Sequence, residues 1–246
     1  MSGVNVTHVD VLAVGAHPDD VELGCGGLLC SLRARGYRFA ILDLTAGEKG
    51  SRGSREQRAV ESSAAAKLLG ATARECLGLP DTKVSETEAA IRLMVEQIRK
   101  WRPKLIVAQD ARDHHPDHAA GARIVQRAMF LAALTNFDAA GEPHRAGRLV
   151  RYSRHAFFRA DFVVDITDHI DKKFAAIRCY ESQFTRTADG AKTPISAPDY
   201  EDDLRAAWRA WGQHAGALYA EPFAVDGIPQ IGDPVHDLCI ERRDIK

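Results

Sequence analysis

Apolar positions along this 246-residue chain fall into two alternating kinds of stretch. Short, nearly continuous runs at residues 9–14, 38–44 and 104–108 read as strands covered on both faces. Between them apolar residues recur at helical spacing over about 26–35, over about 55–69 ending at Gly70, and over 86–101. In the last of these, Ile91, Met94, Val95, Ile98 and Trp101 share one face, and Pro103 stops the helix. A further alanine-rich helix covers 119–134, with Pro116 and Asp117 suited to its start. Strands follow at 149–152 and 162–166, then a helix over about 170–182. Residues 185–200, rich in Thr, Ser, Asp, Gly and Pro, read as a long surface loop bordering a site. A last helix over about 200–211 precedes an irregular tail. Strands alternating with helices predict an α/β fold: a mostly parallel sheet with helices on both faces, in a single domain. Its core spans about residues 8–135, and a C-terminal portion of about 149–246 completes the sheet, which ends or turns antiparallel there, and completes the substrate pocket.

Composition narrows the partners more than the fold. The hydrophobic share of 45% suits a full globular core. With 33 Lys and Arg against 34 Asp and Glu, no electrostatic grip on nucleic acid or an anionic membrane is expected, which leaves a small molecule as the partner. No apolar run approaches the roughly 20 residues of a membrane span, and the first residues lack a basic segment followed by an apolar one, so a cytoplasmic protein is expected. The five cysteines are odd in number and form no Cys-x-x-Cys pair; they read as reduced, mostly buried small hydrophobes.

Chemistry concentrates at two strand ends. The run Ala16, His17, Pro18, Asp19, Asp20, Val21, Glu22 follows the first strand, and Asp113, His114, His115, Pro116, Asp117, His118 follows the strand at 104–108. A catalytic zinc site wants three protein ligands with a fourth position open to water. His17, Asp20 and His118, supplied by two neighbouring strand ends, meet that requirement. The bland alternative makes each cluster a surface turn with a local hydrogen bond. Gly24, Cys25, Gly26, Gly27 fail the dinucleotide fingerprint at Leu29, and residues 47–54 lack the Gly-Lys-Ser/Thr of a phosphate loop.

The first of these runs, together with Leu44, Thr45, Gly47 and Glu48, with Leu79, Pro80 and Asp81, and with His115 to His118, resembles the LmbE-like, or PIG-L, family of zinc-dependent N-acetylglucosamine deacetylases. Tyr180 to Phe184, Thr193 with Pro194, and Tyr219 to Phe223 extend the resemblance over nearly the whole chain. That set is similar to the bacillithiol-pathway branch, whose members deacetylate N-acetylglucosaminyl-malate. The resemblance implies a Rossmann-like fold, with His17, Asp20 and His118 as ligands of one zinc ion (Fe and Co accept the same donors). It makes Asp19 the general base toward the metal-bound water, and His115 the cationic imidazole that stabilises the oxyanion and protonates the leaving amine, oriented by Asp117. Arg58, Asp81 and Glu48 match positions at the substrate. It also implies a homo-oligomer, a hexamer being common in the branch.

One position departs from the pattern. The branch carries an arginine where this chain has His114, and an imidazole cannot make the bidentate carboxylate contact, so His114 takes a substrate or surface role and the malate assignment loses its usual anchor. Other GlcNAc conjugates, among them inositol-linked sugars, chitobiose and glycosylated natural products, remain alternatives, as do a mycothiol-conjugate amidase and a nucleotide-binding module without enzymatic activity. His8, His144, His155, His169, His214 and His236 read as structural or surface residues, and Trp208, Trp211 and Tyr219 as packing or a subunit interface.

Overall fold

A computed structural model describes residues 8–153, 158–185 and 191–230; His155, His236 and Cys239, and parts of the loop at 185–200 and of the C-terminal portion, lie outside them. Among the described residues seven strands form one sheet: β1 (Val11–Gly15), β2 (Phe39–Asp43), β3 (Ala73–Cys76), β4 (Leu105–Gln109), β5 (Arg148–Tyr152), β6 (Phe162–Asp165) and β7 (Ala220–Val225). Their order is β3-β2-β1-β4-β5-β7-β6. The first five are parallel, and β7 runs antiparallel between β5 and β6. Helices α1 (Asp20–Ala34), α2 (Arg55–Leu69), α3 (Glu88–Trp101), α4 (Pro116–Ala132), α5 (Ile170–Arg178), α6 (Glu181–Phe184) and α7 (Tyr200–Ala215) complete the single α/β domain.

Strand side chains alternate between two cores, as a pleated strand requires. Leu12, Val14, Leu42 and Ile106 pack with Ile91, Met94, Val95 and Ile98 of α3 and with Ile124 and Val125 of α4. Val11, Ala13, Phe39, Ile41 and Val107 pack on the opposite face with α1 and α2. Full cover on both faces is why the central strands read as unbroken apolar runs. A third cluster joins Leu23, Ile166, Phe174 and Trp208, so Trp208 serves packing. Among the described residues no helix is long and apolar enough to cross a membrane.

The structure corrects four readings. β3, of sequence Ala-Arg-Glu-Cys, is a partly exposed edge strand and carries no apolar run to announce it. The irregular tail contains β7, disguised by Glu221 and Pro222; Pro222 is accommodated opposite Val163. The helix expected at 170–182 breaks after Arg178, where Tyr180 takes φ −89° and ψ 60° and turns its ring into the core. Of the four described cysteines, Cys25 and Cys30 are buried, whereas Cys76 is exposed and Cys179 half-buried.

α1 starts six residues before the expected 26 because it is two helical pieces joined at Cys25, whose φ −143° is not helical. Gly24 and Gly27 exist for close approach: a Cβ on Gly24 would run into the Tyr152 ring, and one on Gly27 would sit 2.5 Å from Ile166. The kink strands backbone groups that the rest of the fold must satisfy. Glu221 of β7 accepts from the Gly27 and Leu28 amides at 2.8 and 2.7 Å, and Lys173 Nζ donates to the Leu23 carbonyl at 2.7 Å and to Glu221.

Candidate metal centre

The chain leaves the β1-β2-β3 half of the sheet and returns to β4 on the other side of β1, so the crevice beyond the ends of β1 and β4 is the switch point where doubly wound sheets bind ligands. After Gly15 the chain turns tightly into α1, with Asp19 at φ 105°, a left-handed conformation that Asp and Asn tolerate better than most residues. The His17 amide donates to Asp20 Oδ2 at 2.8 Å, and the Ala16 amide to Gln109 Oε1 at 3.0 Å, which ties the turn to the end of β4. Arg58 of α2 is buried rather than exposed on its helix. Its guanidinium donates to the carbonyls of Gly47 and Pro18 and lies 3.4 Å from Asp19 Oδ2.

From β4 the chain passes Asp110 and Asp113 to reach His115, which precedes Pro116 in the first turn of α4. His118, one turn in, is 2% exposed. Its Nε2 lies 3.4 Å from Asp20 Oδ2, which in turn lies 3.3 Å from His17 Nδ1. Zinc bonds of about 2.0–2.2 Å to nitrogen and oxygen place tetrahedral ligand atoms roughly 3.3 Å apart, the spacing that Asp20 Oδ2 keeps from each of these two imidazole nitrogens. His17 belongs to two groupings able to hold a cation, one with His115 and His118 and one with Asp81 and Asp117.

The other ring nitrogen of His17 faces carboxylates. His17 Nε2 is 3.1 Å from Asp81 Oδ1 and 3.2 Å from Asp117 Oδ2. Burial presses against a charged imidazole, yet Asp117, Asp20 and Asp81 together raise the His17 pKa well above its usual value; a cation in the same place competes with that proton. Burial also opposes ionisation of Asp81, but the His17 contact and the Lys49 amide bring its pKa down to about 2. Asp117 also accepts from the Thr82 and Val84 amides at 2.8 and 3.2 Å. Its bonds hold His17 and the 81–84 loop, and its charge also acts on the His115 imidazole, favouring the protonated form. Glu48 is exposed and accepts from the Asp81 amide at 3.0 Å, so it fastens that loop.

His115 stacks on His118 with ring centroids 4.4 Å apart and stands edge-on to His17 at 4.9 Å. Burial first, and then the neighbouring His118 and His17, lower its pKa, against the upward pull of Asp20 and Asp117. His114 is exposed and does not line the cleft of about 530 Å³ into which His17, Asp19, Asp20, Arg58, Asp81, His115 and His118 all open.

Sequence reasoning assigned no role to Asp113 or Gln109. Asp113 is buried, accepts from the His115 amide at 3.0 Å, and brings Oδ2 to 3.4 Å from His118 Nδ1. A carboxylate behind a ligating imidazole fixes its ring orientation and basicity. Its place at the head of the Asp113 to His118 run was the available signal.

Residues 12–129 match the family model PIG-L, GlcNAc-PI de-N-acetylase. The chain is 29% identical over 226 residues to the diacetylchitobiose deacetylase of Thermococcus kodakarensis, covering 86% of this chain and 80% of that one. It is 24% identical over 197 residues to the 4-oxalmesaconate hydratase of Pseudomonas putida, covering 73% and 76%. The crystal structure of the conserved protein TT1542 from Thermus thermophilus superimposes with a TM-score of 0.84 at 38% identity, covering 92% of this chain and 98% of that one. The shared fold, the matched segment carrying both strand-end clusters, and this level of identity over nearly the full length make the chain a member of the PIG-L family.

Proposed function

We propose that the protein is a zinc-dependent hydrolase that removes the acetyl group from the amide of a small GlcNAc-containing molecule, with N-acetylglucosaminyl-malate as its leading substrate. The observation that carries this reading is the position of Asp20 Oδ2, at tetrahedral ligand spacing from both His17 Nδ1 and His118 Nε2. Those three residues would hold a divalent ion, which would supply Lewis acidity toward the amide carbonyl and water. Asp19 takes a proton of the attacking water and returns it to the leaving nitrogen, so amide and water become amine and acetic acid, which ionises to acetate in solution. Arg58 keeps the Asp19 carboxylate in place. His115 donates an N–H to the oxyanion. Asp81 and Asp117 hold His17 from behind.

The test is primary-amine release from N-acetylglucosaminyl-malate, diacetylchitobiose and inositol-linked GlcNAc, before and after chelation and readdition of zinc. Release that stops on chelation and returns with zinc is expected, fastest on the malate conjugate. A faster rate on another conjugate overturns the malate assignment, and no release from any overturns the deacetylase. The Pseudomonas putida relative favours a second reading, hydration of an unsaturated tricarboxylic acid such as 4-oxalmesaconate, which would appear as loss of alkene absorbance with no amine formed.

Asp113→Asn keeps an oxygen for the His115 amide but removes the charge behind His118. Zinc affinity is expected to fall by about 10- to 100-fold, read by competition with a chromogenic chelator. Unchanged affinity would remove Asp113 from the metal's support.

A further inference from the structure

Two segments far apart in sequence face each other across the cleft. Lys49, Gly50 and Ser51 come from the loop between β2 and α2; Thr193, Ile195 and Tyr200 come from the segment that leads into α7. Neither supplies a metal donor, so together they form the part of the cleft available to whatever is attached to the acetylated sugar.

Arg52 joins the two. It is 9% exposed, and its guanidinium donates from Nε to the Ser182 carbonyl at 2.8 Å, from Nη1 to the Ala191 carbonyl at 2.8 Å, and from Nη2 to the Thr185 carbonyl. Gln183 Nε2 reciprocates on the Arg52 carbonyl at 2.7 Å. Just beyond, Gly53 takes φ +72°, and a Cβ there would come within 2.8 Å of the Ser182 Cβ, so the Gly53 backbone lies against the Ser182 side chain. The far segment is anchored in its turn: Ser182 donates from its amide and from Oγ to Glu61 of α2, both at 2.7 Å. Three carbonyls arranged around one side chain call for a planar fork with fixed donor directions, which guanidinium has and an ammonium lacks.

We infer that Arg52 is a specificity-determining positioning residue, which sets the spacing of the two walls and thereby the grip on the group attached to the sugar. The inference rests on the deacetylase reading. Because Arg52 reaches no reacting atom, its effect falls on binding of the attached group and not on the chemistry at the acetamide.

Arg52→Lys keeps the charge and the aliphatic stem and gives up the fork. Rates with zinc-loaded enzyme on N-acetylglucosamine and on diacetylchitobiose separate the possibilities. The expected result is a KM for the disaccharide raised about tenfold at little-changed kcat, with both constants for the monosaccharide within about twofold of the parent. An equal loss on both substrates, or no loss on either, overturns the proposal and leaves Arg52 as a prop of the fold. Should the lysine variant fail to fold, Ser182→Ala removes one of the same wall's two bonds to the Glu61 side chain, the one from Oγ, while sparing the guanidinium's partners. It is expected to shift the disaccharide KM in the same direction by a smaller factor, and a shift in kcat alone overturns the idea. Absence of amine release by the parent enzyme from these sugars and from the malate and inositol conjugates alike would instead refute the deacetylase reading itself.

Discussion

Asp19→Asn is expected to leave zinc bound and to lower kcat by a factor of about 10² to 10⁴, the range that a positioned general base contributes. The substitution is clean for a structural reason. Asp19 sits at φ 105°, where most side chains would strain the turn, and asparagine is among the residues that accept positive φ. The amide oxygen can still face Arg58, so the turn that carries His17 and Asp20 keeps its shape. What is lost is the ability to accept a proton. Zinc content by mass spectrometry or atomic absorption, measured beside steady-state rates, checks both halves. A variant with full metal and near-parental turnover would take the base role away from Asp19, and one that loses its metal would show that the carboxylate supports the ion.

Lys173→Met is expected to destabilise the protein by about 3–5 kcal/mol, the usual penalty for removing one partner of a buried ion pair. Lys173 and Glu221 are both 0% exposed. Between them they satisfy the carbonyl of Leu23 and the amides of Gly27 and Leu28 at the break in α1, and the Lys173 ammonium also lies 3.9 Å from the centre of the Trp208 ring. Methionine fills much of the lysine's volume but leaves the Glu221 charge without its counter-ion. For a chain of this length the loss corresponds to a Tm lower by roughly 6–20 °C, measurable by calorimetry. Lys173→Met combined with Glu221→Gln removes both charges and is expected to cost less than the sum of the single changes. A drop of under about 1 kcal/mol for Lys173→Met, or strict additivity of the pair, would show that the two groups do not act together.

Much of the architecture was legible because it repeats locally. α2 occupies residues 55–69 and stops at Gly70, as read, since Ser54 caps its start and a left-handed glycine its end. α3 follows its apolar face, and the central strands follow their apolar runs. The departures share a cause. β3 and β7 owe their strand state to neighbours and not to their own side chains, and α1 continues through a glycine-rich stretch because Glu221 and Lys173, far along the chain, satisfy its broken ladder.

The same division runs through the candidate site. By itself the sequence determined that two His- and Asp-bearing segments follow two apolar runs, because covered parallel strands and the polar turns after them are written in adjacent residues. Only the tertiary structure decided that β1 and β4 lie side by side, that one oxygen of Asp20 stands between His17 and His118, that Asp117 serves His17, and that Asp113 backs His118. Those are relations between side chains distant along the chain, set by sheet order and helix packing, and hydrophobic periodicity reports which way a residue faces without reporting whom it meets.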